Sequence, residues 1–283
     1  MPNTTDVAVD PKTRKLRAAA SIALAAILLI AIVVSRSKNA LVYDTPTLDD
    51  AHEPVPRFSQ IEDITERKRA YFSYLKPAIA LQNEHLLALR DYVQQLQEKL
   101  SSSGDELNEL DLRQALQVSY SKREQDEVLW LLQEYRVDEN QSAGAAFTQL
   151  LSKIDIIPEA LVLIQSANES AWGTSRFAKE GYNFFGIWCF SEGCGFVPKR
   201  RNKGAIHEVA KYNDLSHAMY EYMLNLNRHP AYDDLRAIRK NLREQGKRPT
   251  ALELIQGLEQ YSERGHEYVE ELEQMIKTNQ ELI

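Results

Sequence analysis

The sequence is short of several features that would define a function class outright. It has two cysteines in 283 residues, too few for a disulfide scaffold, and no second Cys or His pair follows them at the spacing of a zinc site. It has no excess of positive charge: 34 Lys and Arg stand against 41 Asp and Glu, a net charge of −7. That balance offers no general attraction to nucleic acid or anionic lipid, so no nucleic-acid partner is expected. No internal repeat is visible, and low complexity is confined to short patches. His207, His217 and His229 do not fall at metal-ligand spacing, so neither a catalytic metal nor another cofactor is expected. The apolar content, 43%, suffices for a real core in one ordinary domain or two small ones.

One run lacks charge altogether. Residues 18–35 are uncharged and mostly Ala, Leu, Ile and Val, with Lys12, Arg14, Lys15 and Arg17 before them and Arg36 and Lys38 after. As a helix rising about 1.5 Å per residue, this run nearly crosses a hydrocarbon core of about 30 Å, and the basic excess on its N-terminal side orients it. The expectation is a cytoplasmic 1–17, a single-pass anchor at 18–35 and the bulk of the chain outside. Ser35-Arg36-Ser37-Lys38 makes a poor cleavage site, which favours an uncleaved anchor over a signal peptide. Residues 36–57, with Pro46, Pro54, Pro56 and no periodicity, read as an extended tether, and folding is expected to begin near Phe58.

Residues 58–153 read as a helical region. Phe72, Leu75, Ile79, Leu86, Leu89, Val93, Leu96 and Leu100 recur in steps of three and four, with Gln82 the one polar interruption, which predicts a long amphipathic helix. Pro77 either kinks it or separates two helices. Packing on the chain's own later helices is expected rather than pairing with a second chain. Asp105 can cap the next helix, further helical spacing runs through 110–135, and another helix is predicted over 143–153. Nothing here combines a nucleophile, a base and an orienting partner.

Chemistry begins after Pro158-Glu159, which opens a helix well. Gln165 and Glu169 project from one side of it, and Gly173 is placed to end it in a left-handed cap. Glu169 therefore lies in the last turn, where the helix dipole opposes a negative charge, with Trp172 and Phe184-Phe185 near enough to exclude water. Both effects raise a carboxyl pKa, and a carboxyl still protonated near neutral pH is what protonates a glycosidic leaving oxygen. Asn183, Phe185 and the permissive Gly186 fit a saccharide cleft. Cys189 and Cys194 sit in a loop whose glycines let it close. In an oxidising compartment they read as a disulfide, and in a cytosol as two thiols or half a metal site.

A hairpin is predicted from 195–198 and 205–212 around a basic turn, Lys199, Arg200, Arg201 and Lys203. In its second strand Ile206, Glu208, Ala210 and Tyr212 share a face. Glu208 is thus either a second carboxylate across the cleft from Glu169 or a cross-strand partner for the basic turn. Further helices are predicted over 215–227 and 233–245, then after Thr250 and after Gly265. Tyr220, Tyr222, Tyr232, Tyr261 and Tyr268 can stack on sugar rings, at most two of them in the cleft.

Glu-Ser-Ala-Trp-Gly-Thr-Ser at 169–175, Asn-Phe-Phe-Gly-Ile at 183–187 and Asn-Arg-His-Pro-Ala-Tyr at 227–232, in this order and spacing, resemble the glucosaminidase family of peptidoglycan hydrolases. The resemblance implies a mainly α chain: a lysozyme-like α+β domain over 154–283 with a small β-hairpin lobe, preceded by the N-terminal transmembrane helix and the helical region. It implies cleavage of the β-1,4 bond after N-acetylglucosamine in peptidoglycan. The family's catalytic Glu matches Glu169, its second acid falls in the β lobe where Glu208 lies, and a C-terminal tyrosine corresponds to Tyr261, although Ser262 replaces the small residue after it. Substrate contacts are expected from Gln165, Trp172, Asn183, Phe185 and Tyr232. The expected partners are peptidoglycan glycan strands and the bacterial inner membrane, with the catalytic domain in the periplasm. A lytic transglycosylase using the same Glu and a non-catalytic wall-binding scaffold are the competing expectations.

Overall fold

The structure is a computed structural model that describes residues 42–102, 104, 106–198, 201 and 204–283. The chain divides into units 1–44 and 45–283, and the second holds every helix and strand from residue 58 onward. The apolar run 18–35, the capping candidate Asp105 and the basic residues Lys199, Arg200 and Lys203 lie outside the described residues. Among those described, no helix is long and apolar enough to cross a membrane.

The organising element is α1 (Ile64–Ser102), one helix of 39 residues that runs through Pro77 without ending there. All eight apolar positions of the predicted pattern are buried. Gln82, the polar interruption, is buried with them, and its amide donates to the carbonyls of Pro46 at 2.9 Å and Ser216 at 3.4 Å. It is a stitch rather than a flaw, because a buried amide stays only where it is hydrogen-bonded.

The second of those partners helps explain why residues 45–57 are not an extended tether. Leu48 donates its N–H to Ser216 Oγ at 3.0 Å, Leu215 donates to the Ala51 carbonyl at 3.1 Å, and the Tyr182 hydroxyl donates to His52 O at 2.9 Å. Ala51, Val55 and Phe58 are buried. Residues distant in the chain satisfy this segment's backbone and hold it without local periodicity.

After a single helical turn at Glu106–Glu109 come α2 (Leu112–Ser119), α3 (Lys122–Glu134), α4 (Ala143–Lys153), α5 (Glu159–Ser170) and α6 (Arg176–Gly181). The helical spacing read over 110–135 belongs mostly to two helices, since Ser121 and Glu124 form a reciprocal capping box that starts α3 afresh. Three short strands follow, β1 (Trp188–Cys189), β2 (Gly195–Phe196) and β3 (Glu208–Ala210), then α7 (Leu215–Arg228), α8 (Asp233–Glu244), α9 (Ala251–Leu254) and α10 (His266–Asn279). The sheet is antiparallel in the order β1-β3-β2, with Cys189 opposite Glu208 and Gly195 opposite Ala210. The predicted hairpin pairing is β2 with β3. Strand β1 joins on the other side and escapes sequence patterning because two residues have no period. Gly195 is obligatory, since a Cβ there would stand 2.0 Å from Val209 O.

Helix α1 packs on α4, α5 and α7, and α5 also meets α9 and α10. Beneath α8, the buried Asp155 accepts from Arg243 at 2.7 and 3.0 Å, while the buried Arg239 donates to Asp155 O, Ile156 O and Asn227 Oδ1. Burial alone would raise the Asp155 pKa; the Arg243 hydrogen bonds and the charges of Arg239 and Arg90 outweigh it and hold the carboxyl below its ordinary range.

Candidate functional site

Glu169 owes its position to an abrupt helix end. Ala171, Trp172 and Gly173 follow α5 with φ of 50°, 56° and 73°, a left-handed run that costs strain in its two non-glycine members. It is held by Trp172 N–H on Ala167 O at 2.9 Å and by Gly173 N–H on Ser170 Oγ at 2.8 Å, and the Tyr71 hydroxyl meets Ser170 Oγ at 3.1 Å. Ser166, Ala167 and Ser170 are buried, whereas Glu169 is turned outward and exposed.

Its carboxylate is oriented from behind by a relay. The Tyr268 hydroxyl donates to Glu169 Oε1 at 2.9 Å and accepts from Gln165 Nε2 at 2.9 Å, and Gln165 Oε1 accepts from the Tyr222 hydroxyl at 2.5 Å. Although the residue reaches solvent, its carboxyl is crowded by protein, and that desolvation raises its pKa. The Tyr268 hydrogen bond and the charge of Arg264 oppose the rise, Glu271 adds to it, and the net direction is up. Burial and then Glu169 itself push the Tyr268 phenol far above its ordinary range, so it remains a donor. On the open side a Cβ at Gly186 would stand 3.7 Å from Glu169 Oε2, so the bare backbone at this left-handed position keeps the approach clear.

A groove of about 640 Å³ lies beside Gly186. Phe185 to Trp188 and Phe190 form one side, and Arg136, Glu221, Asn225, Arg228, His229, Tyr232 and Tyr261 the other. Phe185 stacks on Tyr222 at 3.7 Å, Tyr261 donates to Phe185 O at 2.8 Å, and the Tyr261 ring lies parallel to Tyr268 at 5.6 Å. Trp188 and Phe190, 54% and 66% exposed, offer flat apolar faces at the rim. Their loop is closed by a disulfide between Cys189 and Cys194, and Glu208 accepts the N–H groups of Gly195 at 2.8 Å and Gly193 at 3.2 Å. Those two hydrogen bonds hold the Glu208 carboxyl below its ordinary range, helped by Arg201.

Of the residues singled out from sequence, Phe185, Tyr232 and Tyr261 line this groove, and Glu169 stands next to it on the other side of Gly186. Gln165 is fully buried behind Glu169. Asn183 is buried too, accepting from the N–H groups of Phe185 and Ile187 and donating to Ile187 O and Ala210 O, so it shapes the Gly186 turn from within. Trp172 packs instead on Tyr71 and Phe72, with the Lys68 ammonium 4.9 Å above its ring, beside a separate cleft that includes Asn168 and Glu271. Among the described residues no contact joins Glu208 to Glu169. Cys189, Cys194 and Glu208 place three potential ligand atoms within 4.8 Å, but the sulfurs are spent on each other. Sequence reasoning assigned no role to Arg136, Trp188 or Phe190, and it placed Tyr268 among possible stacking residues; Tyr261 ends a short turn and Tyr268 lies in a separate helix, so no helical spacing pairs them.

Residues 144–281 match the Glucosaminidase family, described as mannosyl-glycoprotein endo-beta-N-acetylglucosaminidase. Among curated proteins the chain is similar to "Protein bax" of Escherichia coli (strain K12), 29% identical over 220 residues that make up 77% of this chain and 72% of that one. No solved structure matches. With an outward-turned Glu169 beside an aromatic groove built mostly from the matched segment, residues 144–281 of this chain form a glucosaminidase-family domain.

Proposed function

We propose that the protein is a peptidoglycan hydrolase that cuts the β-1,4 bond after N-acetylglucosamine, with Glu169 as general acid. The observation that carries this reading is the Glu169 carboxyl itself: raised in pKa, oriented by Tyr268, and open toward the groove across Gly186. In this mechanism Glu169 gives its proton to the glycosidic oxygen as the C1–O bond breaks, and water completes C1 to leave a reducing N-acetylglucosamine. Glu208 is the proposed second carboxylate. To act it must first leave the Gly193 and Gly195 amides.

That engagement favours one alternative specifically. A lytic transglycosylase needs no second acid, because Glu169 can protonate the leaving oxygen and then take the proton of the muramic 6-hydroxyl as that oxygen closes on C1. Full-length protein, Glu169→Gln and Glu208→Gln incubated with purified peptidoglycan separate the readings by mass spectrometry. Glu169→Gln is expected to lose about 100-fold or more of the rate, and normal cleavage by it would remove Glu169 from the mechanism. Reducing-end N-acetylglucosamine with a comparable loss in Glu208→Gln supports the two-carboxylate hydrolase. Anhydro-muramic ends with Glu208→Gln still active support the transglycosylase.

For location, we propose that residues 18–35 anchor the chain in the bacterial inner membrane with the catalytic domain in the periplasm. The uncharged run and the basic residues before it support this topology. Recovery of the full-length protein in a salt-washed soluble fraction would sink it.

A further inference from the structure

We infer that Arg136 recognises a carboxylate on the glycan and makes the groove select strands with acidic substituents over neutral ones; the inference rests on the peptidoglycan reading above. Arg136 stands just past α3 with φ of 51°. Its N–H bonds to Gln133 O at 3.2 Å and the Val137 N–H bonds to Leu132 O at 2.8 Å. This pair of bonds ends a helix through a left-handed residue, for which glycine is the usual choice.

The same chain makes the motif with glycine elsewhere. Helix α8 ends with Gly246 N–H on Arg243 O and Lys247 N–H on Leu242 O, both at 2.9 Å, with Gly246 at φ 69°. At position 136 the chain instead holds a long cationic side chain in a conformation strained for it, and that side chain is exposed and lines the groove. Backbone strain at such a place is motivated by what the side chain reaches.

Within the groove Arg136 is the cation left over. Arg228 is occupied by Glu134 at 3.1 Å and Glu221 at 3.7 Å, whereas among the described residues the Arg136 guanidinium makes no ion pair or hydrogen bond. Burial, and after it the positive charge of Arg136, holds His229 below its ordinary pKa, so the imidazole is neutral at neutral pH and leaves the anion to the arginine. A planar guanidinium fork matches a carboxylate with two parallel hydrogen bonds. Peptidoglycan offers carboxylates from two sources, the lactyl group of muramic acid where no peptide is attached and the stem peptide where one is; polymers of N-acetylglucosamine offer none. Position 136 precedes the matched segment 144–281, so this selectivity comes from the upstream helices and not from the family domain.

Full-length Glu169→Gln protein, which holds substrate without turning it over, is titrated calorimetrically with three probes of equal length: peptide-bearing glycan fragments, the same fragments stripped of peptide, and N-acetylglucosamine oligomers. Two further variants are titrated beside it: Arg136→Gly, which suits the left-handed position and so preserves the fold, and Arg136→Lys, which keeps the charge without the fork. The expected result is a preference of about 10-fold for carboxylate-bearing probes, abolished by Arg136→Gly and partly retained by Arg136→Lys. Loss on the stripped probe assigns the lactyl carboxylate, and loss on the peptide-bearing probe alone assigns the stem. No preference at the outset, or one that survives Arg136→Gly, overturns the inference. Cleavage by the wild-type chain is scored separately, so Arg136-dependent preference without cleavage would keep the carboxylate site and discard the hydrolase.

Discussion

At Glu169 two opposing influences act on one carboxyl. Crowding by protein raises its pKa, and the Tyr268 hydroxyl at 2.9 Å lowers it by stabilising the anion. In the proposed mechanism Glu169 works while protonated, so kcat/KM is expected to fall as pH rises through this pKa. Tyr268→Phe removes the donor, the pKa moves further up, and the basic limb of the pH profile is expected to shift to higher pH. A limb that stays in place or moves down would show that Tyr268 does not act on the acid. Glu169 was legible in the sequence because a carboxyl in the last turn of an apolar helix has a local reason for a raised pKa. Tyr268 was not, since its hydrogen bond spans 99 positions and nothing local distinguishes it from the other tyrosines. Gln165 illustrates the reverse error: spacing put it correctly on the side of Glu169, but one turn deeper, where it supports Tyr268 instead of meeting substrate.

Among the elements, the left-handed end of α5 is the most demanding, and Gly173 is its least replaceable member. A Cβ there would fall 2.8 Å from a Phe58 ring carbon and 2.9 Å from Tyr71, at φ 73°. Strain and overpacking together predict that Gly173→Ala costs about 1–3 kcal/mol, read as a lower denaturant midpoint with an unchanged slope. A midpoint equal to wild type would mean that Phe58 and Tyr71 yield freely. The sequence pointed to Gly173 as the left-handed cap, but the helix ends two residues earlier at Ala171, and the contacts of Trp172 with Tyr71 and Phe72 that accompany this early end are tertiary and have no local signature. Helix starts were easier to read wherever a side chain caps its own backbone, as at Ser175 and Thr250. Strand β1 and residues 45–57 were illegible for one shared reason: the partners of both, β3 for the strand and Gln82, Leu215 and Tyr182 for the segment, lie far along the chain.

Over the whole molecule, the family match and the folded unit do not share a boundary. The match begins at residue 144, whereas the unit begins at Thr45. Reading residues 58–153 as a helical region beside a catalytic domain understates how far the two share a core. Helix α1 packs on α4, α5 and α7, Phe58 and Tyr71 close over Gly173, and Arg90 reaches Ile154 O at 2.9 Å. Tyr71, Phe72, Leu75 and Ile79 are essentially inaccessible to solvent. At about 1.5–3 kcal/mol for each fully buried side chain these four are worth about 6–12 kcal/mol, as much as the entire stability of an ordinary domain at about 5–15 kcal/mol. A fragment of residues 144–283 is therefore expected to lack a cooperative unfolding transition, because it strips the cover from Leu161 to Ala167 of α5, all buried in the intact unit. Residues 45–283 are expected to unfold in a single transition. Circular dichroism through a denaturant titration distinguishes the two, and a sharp transition in 144–283 would show that the family domain stands alone and that α1 is an accessory to it. If the fragment fails as expected, the helix that buries the back of α5 is also what holds Glu169 at its front, and the candidate site extends in its physical support well beyond the segment that matches the family.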